Sequence, residues 1–516
     1  MPTSLRRQAL AWVVLFLPCT FLGAQLLLPP FLGDHMVLQR ETSIPIRGSA
    51  APFGEVSLHF HDGSYTATAD AQGHWSVQLP PLPAGGPFDL TCASAGDTIR
   101  LQDILIGDVW LCSGQSNMEW PLSRTAEAAQ ALPSAGSGRI RLLRFRKRHS
   151  TYAEPYTAEE LAAFTAGDFF HPPVWQPCTP ETASDFSGVG YFFGRSLHDS
   201  LEIPIGLVQQ AVGGSPAQAW VSREALASHP DFRALVLPPP GKTWLDAGFL
   251  HPWLAVRARE NWGGAFPGPD GSPPGHPFAP GYLFEAAVRP LAPLPFRGVI
   301  WYQGESNATD PASYPALMEL LVRSWRQTLG SDLPFLFVQL PRIGNRSQWA
   351  AFRAAQDQGL ALPHTGRVVT IDLGHPTDVH PREKLAVGHR LAQLALARTY
   401  QFDLPAESPA LLSADWPLNG PELLLRTNYA YEGLRTSDGL PPRGFVLQGF
   451  TDQGRRETIY EPASVRLEGN LIRIGLPEGM LPCLVKYAWA PFPDNNVTNS
   501  AGLPLAPFSA HIPGNQ

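Results

Sequence analysis

Cysteine is scarce in this chain, with five residues among 516. After the first 24 residues, cysteines occur only at positions 92, 112, 178 and 483, and no two have the short spacing of zinc ligands. The sequence therefore predicts no metal site, and it leaves the disulfide state open. Cys112 lies inside an apolar run, which favours packing as its role.

The sequence also lacks long basic runs, internal repeats and, beyond its N-terminus, long apolar stretches. Its formal net charge is -7, so composition gives no indication of nucleic-acid binding. No period of about 20 to 50 residues repeats, which excludes a solenoid. No apolar stretch after residue 24 is long enough to span a bilayer, so we predict no membrane span in the mature chain.

The first 24 residues have the pattern of an export signal. Arg6 and Arg7 precede an apolar run over residues 9–22, and Gly23 and Ala24 provide small residues for cleavage. The run is interrupted by Pro18 and is short for a bilayer span. We therefore predict a signal peptide over residues 1–24 and a periplasmic or secreted protein. An uncleaved membrane anchor is the alternative.

Three regions follow the signal segment. Residues 25–103 alternate with a period of two between Gly-containing turns, which predicts an N-terminal β domain of sandwich type. Residues 104–404 alternate between short apolar runs and helical patterns, which predicts an α/β catalytic domain. Within it, residues 225–280 are rich in Gly and Pro and are predicted to form an inserted loop region. Residues 405–516 return to β character.

The α/β region contains five candidate strands and several candidate helices. The strand candidates are short and apolar without alternation, as expected where helices cover both faces of a sheet; they cover residues 109–112, 205–209, 299–302, 335–340 and 368–371. Helical spacing is found over residues 189–201 and 317–325, the second after Ser313 as a possible cap and Pro315 in the first turn.

Ser116 is the candidate nucleophile. It follows the first strand candidate and Gly114, which allows a tight turn, and it stands where a helix would begin. Backbone N–H groups at a helix start stabilise negative charge. Ser113 is the competitor, but it lies on the strand side of the glycine. The run is not the Gly-x-Ser-x-Gly motif of α/β-hydrolases.

Two Asp–His pairs compete for the role of base. Asp378 and His380 flank one residue, so in an extended loop both side chains lie on one side, and the carboxylate can orient the imidazole. Pro381 is predicted to occupy the first turn of the next helix. Asp372 and His375 form the rival pair. The pattern alone favours Asp378 and His380 only modestly, through the helix that Pro381 starts.

An acyl-transfer site also needs donors for the oxyanion. Gly213 and Gly214 follow the second strand candidate, where a glycine lets a backbone N–H approach the substrate; a plain turn is the alternative. Gln303 follows the third strand candidate, and its amide is another candidate donor, or else it bonds a neighbouring loop. We interpret Glu305 as a carboxylate that bonds loop N–H groups, because no second carboxylate is placed for glycosidase chemistry.

At these residues the chain resembles the SGNH hydrolase superfamily and, within it, the sialate O-acetylesterase family of carbohydrate esterases. The resemblance covers most of the chain. Its segments are 34–39 (DHMVLQ), 107–120 (GDVWLCSGQSNMEW), 188–195 (GVGYFFGR), 213–220 (GGSPAQAW), 301–308 (WYQGESNA), 378–381 (DVHP), 486–489 (KYAW) and 502–504 (GLP).

The resemblance implies an α/β fold of SGNH type, a flavodoxin-like three-layer α/β/α domain with a mostly parallel sheet and β-sandwich-like regions at both ends. It implies Ser116 as nucleophile, His380 as base and Asp378 as its partner. The oxyanion hole is then formed by backbone N–H groups of Ser116 and of Gly213 or Gly214, with a side-chain donor.

Residue roles beyond these three rest on motif positions. We assign Gln303 as the side-chain oxyanion donor, with Asn307 in reserve. Gln115, Asn117 and Glu305 lie in the same two motif segments and are assigned to substrate binding. Residues 225–280 depart from the family's pattern, and this leaves the substrate preference open. Residues 491–498 also diverge, where the family has its usual loop.

The predicted function is serine-dependent removal of O-acetyl groups from sialic acids, through an acetyl-enzyme and without a cofactor. Acetylated xylan or another acetylated polysaccharide is the alternative substrate. A carbohydrate-binding protein with an inactive esterase domain is the alternative of a different class. The oligomeric state is not predicted.

Overall fold

The computed structural model describes residues 25–248, 251–266, 272–292, 294–330, 332–417, 420–451 and 456–513. The predicted signal peptide lies outside these residues. Within them, no helix is long and apolar enough to cross a membrane.

Helices and strands alternate in the middle of the chain, and strands dominate both ends. The α-helices are α1 Ser116–Glu119, α2 Ala128–Ala131, α3 Ala158–Thr165, α4 Pro180–Ser184, α5 Gly188–Leu201, α6 Arg223–Ser228, α7 Arg233–Val236, α8 Pro252–Trp262, α9 Tyr314–Leu329, α10 Trp349–Asp357 and α11 Lys384–Arg398. Short 3₁₀ helices are Leu122–Arg124, Leu132–Ser134, Ala217–Trp220, Trp244–Asp246, Gly263–Ala265, Arg289–Leu291 and Gln358–Ala361, and a π-helical turn is Phe284–Val288.

The strands up to the end of the central sheet are β1 Val37–Gln39, β2 Ile44–Ser49, β3 Glu55–Phe60, β4 Gly63–Thr68, β5 His74–Leu79, β6 Gly85–Ser94, β7 Asp97–Gly114, β8 Ser137–Arg144, β9 Trp175–Cys178, β10 Ile205–Ala211, β11 Gly298–Tyr302, β12 Phe335–Val338, β13 Arg342–Ile343, β14 Thr365–Val368 and β15 Gly374–His375. The remaining strands are β16 Leu411–Asp415, β17 Glu422–Thr427, β18 Leu434–Thr436, β19 Phe445–Thr451, β20 Arg456–Tyr460, β21 Val465–Glu468, β22 Leu471–Gly475, β23 Leu481–Tyr487, β24 Val497–Asn499 and β25 Phe508–His511.

The central sheet has the strand order β14-β12-β11-β7-β10-β8-β9. Neighbours from β14 to β8 are parallel, and β9 is antiparallel. The prediction of a mixed α/β protein with added β regions is confirmed. Within this sheet, β10 pairs with both β7 and β8, and the finer SGNH-type, flavodoxin-like assignment stays a prediction.

The predicted apolar runs form strands because they are buried on both faces. Every residue of β10, β11 and β12 is buried, which explains their lack of alternation. Three of the five candidates, 109–112, 205–209 and 299–302, lie within strands, and a fourth, 335–340, begins with β12 and extends two residues beyond it. The fifth is shifted, since the strand covers Thr365–Val368 and residues 369–371 follow it. Val369 and Ile371 instead pack in the C-terminal core.

One continuous strand joins the N-terminal β region to the central sheet. The first half of β7 pairs with β6, and its second half pairs with β10 and β11. The predicted limit between residues 103 and 104 therefore falls inside a strand. The domain limits as a whole stay a prediction.

The described residues of the segment 225–280 contain more helix than the inserted loop region that the sequence suggested. Its described residues include α7 and α8, and they form a small apolar cluster of their own, which contains Trp244, Leu254, Trp262 and Phe278. Apolar aromatic side chains within the Gly- and Pro-rich sequence provide this cluster. The segment thereby places α8 beside the cavity described below.

Candidate active site

The end of β7 presents Ser116 through a turn that requires glycine. Gly114 has a φ of +138°, and a Cβ there would lie 2.1 Å from the carbonyl oxygen of Tyr302. The N–H of Gln115 donates to the same carbonyl at 3.0 Å. The chain therefore leaves the sheet against β11, and Ser116 becomes the first residue of α1.

His380 lies at hydrogen-bond distance from Ser116. Its Nε2 is 2.9 Å from Ser116 Oγ, although the two residues are 264 positions apart. The imidazole stacks on Trp120, with ring centroids 5.1 Å apart and planes 20° from parallel. Burial and, after it, the charge of Lys384 lower the pKa of His380. The neutral imidazole, which accepts a proton, is thereby favoured near neutral pH.

Asp378 lies beside His380, with a looser contact to the ring. Its Oδ1 accepts the backbone N–H of His380 at 2.9 Å and is 3.6 Å from His380 Nδ1. The carboxylate thus fixes the loop directly and faces the ring at slightly more than hydrogen-bond length. Contacts between catalytic groups commonly shorten only when substrate binds.

The rival pair does not converge on Ser116. His375 Nδ1 accepts the N–H groups of Thr377 and Asp378, at 3.2 and 3.1 Å, and so closes a turn. Asp372 forms a two-pronged ion pair with Arg390, whose shorter contact is 2.6 Å. Each member of the pair therefore has a different partner.

The helix after His380 begins later than predicted. Pro381 lies in the loop, and α11 starts at Lys384. The loop between them is held instead by Ala126, whose N–H donates to the carbonyl of Arg382 at 2.9 Å. This later start places Lys384 in the protein interior, next to the candidate site.

Gly213 lies against Ser116, but its N–H is already bonded. A Cβ on Gly213 would be 3.6 Å from the Cβ of Ser116. The Gly213 N–H donates to Glu119 Oε2 at 2.7 Å, and Glu119 pairs with Lys147 at 2.6 Å. Among the residues described, no acceptor contacts the N–H of Gly214. The N–H of Ser116, first in its helix, has no intrahelical acceptor.

Gln303 does not reach the cavity, because it is fully buried and its amide nitrogen contacts protein acceptors. That nitrogen is 2.8 Å from Asn307 Oδ1 and 3.2 Å from Gln115 Oε1. Asn307 is also turned inward, donating to Gln218 at 2.9 Å. Since Gln115 Oε1 also accepts the N–H of Ser306, Gln115 Nε2 is left at the cavity wall without an acceptor in the described structure.

Asn117, assigned to substrate binding, is instead buried behind the nucleophile. Its side-chain amide donates to Glu305 Oε1 and, at 2.9 Å, to the carbonyl of Val379, and its Oδ1 accepts from Lys384 at 2.5 Å. Glu305 therefore bonds a side-chain amide in addition to a backbone N–H of its own loop. Burial raises the pKa of Glu305 and lowers the pKa of Lys384 to about 7.

A cavity of about 1010 Å³ opens above Ser116 and His380. Its wall carries aromatic side chains and several cations; these are Trp120, Tyr152, Trp253, Phe278 and Trp349, and Arg124, Arg144, Lys147, Arg148, Arg257, Arg346 and Arg382. Arg124, Arg346 and Arg382 have no acidic partner within the described part of the chain. Arg124 lies 4.0 Å over the ring of Trp120.

Three residues of this site were not assigned from the sequence. Glu119 and Trp120 belong to the same motif segment as Ser116, which was the available signal for them. Lys384 is four residues after His380, but its burial depends on where α11 begins, and that point was predicted wrongly. In the described residues, no group of three or more His, Cys, Asp or Glu side chains could hold a metal ion.

Comparisons with known proteins agree with the resemblance. The family described as carbohydrate esterase, sialic acid-specific acetylesterase, matches residues 106–232 and 283–397. Mouse sialate O-acetylesterase is 30% identical over 93% of this chain and 94% of its own length, and the human protein is 28% identical over 94% and 93%.

A solved structure also covers the whole architecture. The crystal structure of a carbohydrate acetylesterase from Xanthomonas citri is 32% identical, has a TM-score of 0.76, and matches 94% of this chain and 99% of that one. The chain belongs to the sialic acid-specific acetylesterase family of carbohydrate esterases.

Proposed function

We propose that this protein is a serine-dependent carbohydrate O-acetylesterase that removes O-acetyl groups from sialic acids. The observation that carries the proposal is the 2.9 Å contact between Ser116 Oγ and His380 Nε2 at the wall of a large cavity. A serine hydroxyl becomes a nucleophile when a neutral imidazole can take its proton. Membership of the acetylesterase family supports the choice of ester.

The reaction proceeds in two halves. Ser116 Oγ attacks the acetyl carbonyl carbon while His380 Nε2 takes the hydroxyl proton. The tetrahedral intermediate collapses, the bond from carbon to the sugar oxygen breaks, and His380 returns the proton to that oxygen. Water then attacks the acetyl-enzyme with His380 again as base, releasing acetate and restoring Ser116.

Two of the predicted oxyanion donors fit this site, the N–H groups of Ser116 and Gly214, and the side-chain donor differs from the predicted Gln303. The N–H of Ser116, the N–H of Gly214 and the Nε2 of Gln115 are without acceptors in the described structure and adjoin the cavity. Gly213 would serve only if Glu119 released its N–H. In this arrangement Gln303 is a positioning residue, because its amide fixes the orientation of Gln115.

The charge of the cavity supports an acidic sugar. Arg124 lies near the reacting groups, since it lines the same cavity and packs over the ring of Trp120, on which His380 stacks. A guanidinium with no acidic partner is suited to a carboxylate such as that of sialic acid. We propose Arg124 as the partner of the sugar carboxylate.

A neutral acetylated polysaccharide, such as acetylated xylan, is the second candidate substrate. The observation that favours it is the aromatic wall. The side chain of Tyr152 is exposed on the cavity, and flat aromatic rings suit the faces of neutral sugars.

Export to the periplasm or the medium stays a prediction from residues 1–24.

The test compares hydrolysis of O-acetylated sialic acid with hydrolysis of acetylated xylan by the purified protein. We expect the sialic acid to have the higher kcat/KM, and no turnover of either substrate by Ser116→Ala. Full activity of a folded Ser116→Ala variant would refute the mechanism. A preference for xylan would keep the mechanism and replace the substrate.

The role of Arg124 has its own test. Measured at a pH above the acid limb of His380, Arg124→Gln should raise KM for O-acetylated sialic acid about tenfold, since one charged hydrogen bond is lost, and should leave p-nitrophenyl acetate hydrolysis nearly unchanged. Arg148→Gln is the matched control, because Arg148 also lines the cavity but is paired with Asp168. An equal effect on both substrates would contradict carboxylate recognition.

A further inference from the structure

A buried polar cluster lies directly behind the candidate nucleophile. Lys384, Asn117 and Glu305 form it, and the first two are at most 1% exposed. Lys384 Nζ donates to Asn117 Oδ1 at 2.5 Å, and the amide of Asn117 joins it to Glu305. Burying charged and polar groups costs folding free energy unless they are hydrogen-bonded or paired. The acyl-transfer steps above do not use this cluster.

The cluster is connected to both reacting side chains. Asn117 follows Ser116 in α1, and its amide donates to the carbonyl of Val379, the residue before His380, at 2.9 Å. Lys384 begins α11 on the other side of the same loop. The amide of Asn117 therefore ties the segment bearing the nucleophile to the segment bearing the base.

Lys384 lies against the same aromatic ring as the imidazole, and its charge acts on the pKa of His380. Its Nζ is 5.9 Å from the centroid of Trp120, the ring on which His380 stacks. The hydrogen bond to Asn117 Oδ1 leaves Lys384 with an amide as its direct partner, while the carboxylate of Glu305 lies behind that amide. Because the nearest partner of this cation is neutral, the charge is not cancelled locally and acts electrostatically on neighbouring groups.

We propose that Lys384 is a positioning residue of the esterase, which holds the His380 loop against Ser116 through Asn117 and places a buried positive charge beside the imidazole. This inference rests on the proposed function. It replaces the predicted role of Asn117 and Glu305. These two residues hold Lys384 in position, in place of binding substrate.

The charge of Lys384 predicts the direction in which the pKa of His380, and with it the pH dependence of activity, should shift. Lys384 has a pKa lowered by burial to about 7, so it is positive over the acidic range in which His380 takes up a proton. Around His380, Lys384 and Arg124 lower its pKa, and Asp378 raises it. Around Lys384, the carboxylates of Glu305, Glu383, Asp378 and Glu127 act in the opposite direction to burial. Removing the Lys384 charge should raise the pKa of His380.

The experiment is the pH profile of kcat/KM for p-nitrophenyl acetate in the native enzyme, Lys384→Met and Lys384→Arg. The acid limb of Lys384→Met should move to higher pH by about half to one unit, which lowers kcat/KM at pH 5 about three- to tenfold beyond any change at the plateau. Lys384→Arg should keep the limb near its native position, because it keeps the charge. Lys242→Met, at an exposed lysine outside this cavity, is the matched control.

The outcomes separate this inference from the proposed function. A Lys384→Met enzyme with a native acid limb overturns the role of the charge, whatever its plateau activity. If Lys384→Met does not fold, Lys384→Gln decides: its acid limb must show the same shift, and an unshifted limb overturns the inference. Activity that persists in Ser116→Ala overturns the proposed function instead.

Discussion

Two Asp–His pairs stand within nine residues of one another, and only one of them reaches the nucleophile. His380 lies 2.9 Å from Ser116 Oγ, whereas His375 accepts two backbone N–H groups within its own turn. Asp378 faces the His380 ring, whereas Asp372 is taken by Arg390. The same residue types therefore serve as reacting groups in one case and as loop structure in the other.

The difference lies in what each histidine has for neighbours. His380 is stacked on Trp120 and is adjacent to Val379, whose carbonyl bonds Asn117 beside the nucleophile. His375 lies in β15, which pairs with β13. His380 can act as the base because its loop is hydrogen-bonded to the segment that bears the nucleophile. The spacing between a histidine and an aspartate in the sequence does not show such a hydrogen bond.

The largest expected effect separates the two histidines. His380→Ala should lower kcat/KM for p-nitrophenyl acetate by about three to four orders of magnitude, because no other described side chain is placed to take the Ser116 proton. Steady-state kinetics on the folded variant provides the measurement. A kcat/KM within tenfold of the native value would show that His380 is not the base.

A smaller effect is expected at the aspartate. Asp378→Asn should lower kcat about 10- to 100-fold, less than for a buried triad aspartate, since its contact with the His380 ring is 3.6 Å and its side chain is 43% exposed. The measurement is kcat with saturating ester. Asp372→Asn is the matched control, and it should affect thermal stability more than kcat. The reverse ranking of the two variants would contradict the assignment of Asp378.

The smallest effect is expected at His375. His375→Ala removes the acceptor for the N–H groups of Thr377 and Asp378, which are exposed enough for water to replace it. The kcat/KM should fall by less than about threefold. A loss as deep as that of His380→Ala would make the rival pair the base after all.

The sequence was sufficient for features that depend on local pattern. The apolar runs at residues 205–209 and 299–302 predicted strands because both faces of those strands are buried. Gly114 before Ser116 predicted the turn that φ at Gly114 confirms. The approach of His380 to Ser116 followed from the resemblance and is seen in the structure.

Features that depend on which partner a polar group finds were not available from the sequence. Gln303 and Gln115 are both glutamines beside strand ends, and only three-dimensional packing decides that Gln303 bonds inward while Gln115 lines the cavity. Similarly, nothing in the order of residues shows that Glu119 occupies the N–H of Gly213. The position of β10 between β7 and β8 is a matter of long-range pairing.

The most direct test of the central claim is trapping of the acetyl-enzyme. The native protein, mixed with excess p-nitrophenyl acetate, quenched rapidly in acid and digested, should carry one acetyl group on the peptide that contains Ser116, and Ser116→Ala should carry none. Acetylation of Ser116 that is at least as fast as steady-state turnover would establish it as the nucleophile. Turnover without any acetyl group on Ser116 at any quench time, or the same label in Ser116→Ala, would contradict the account.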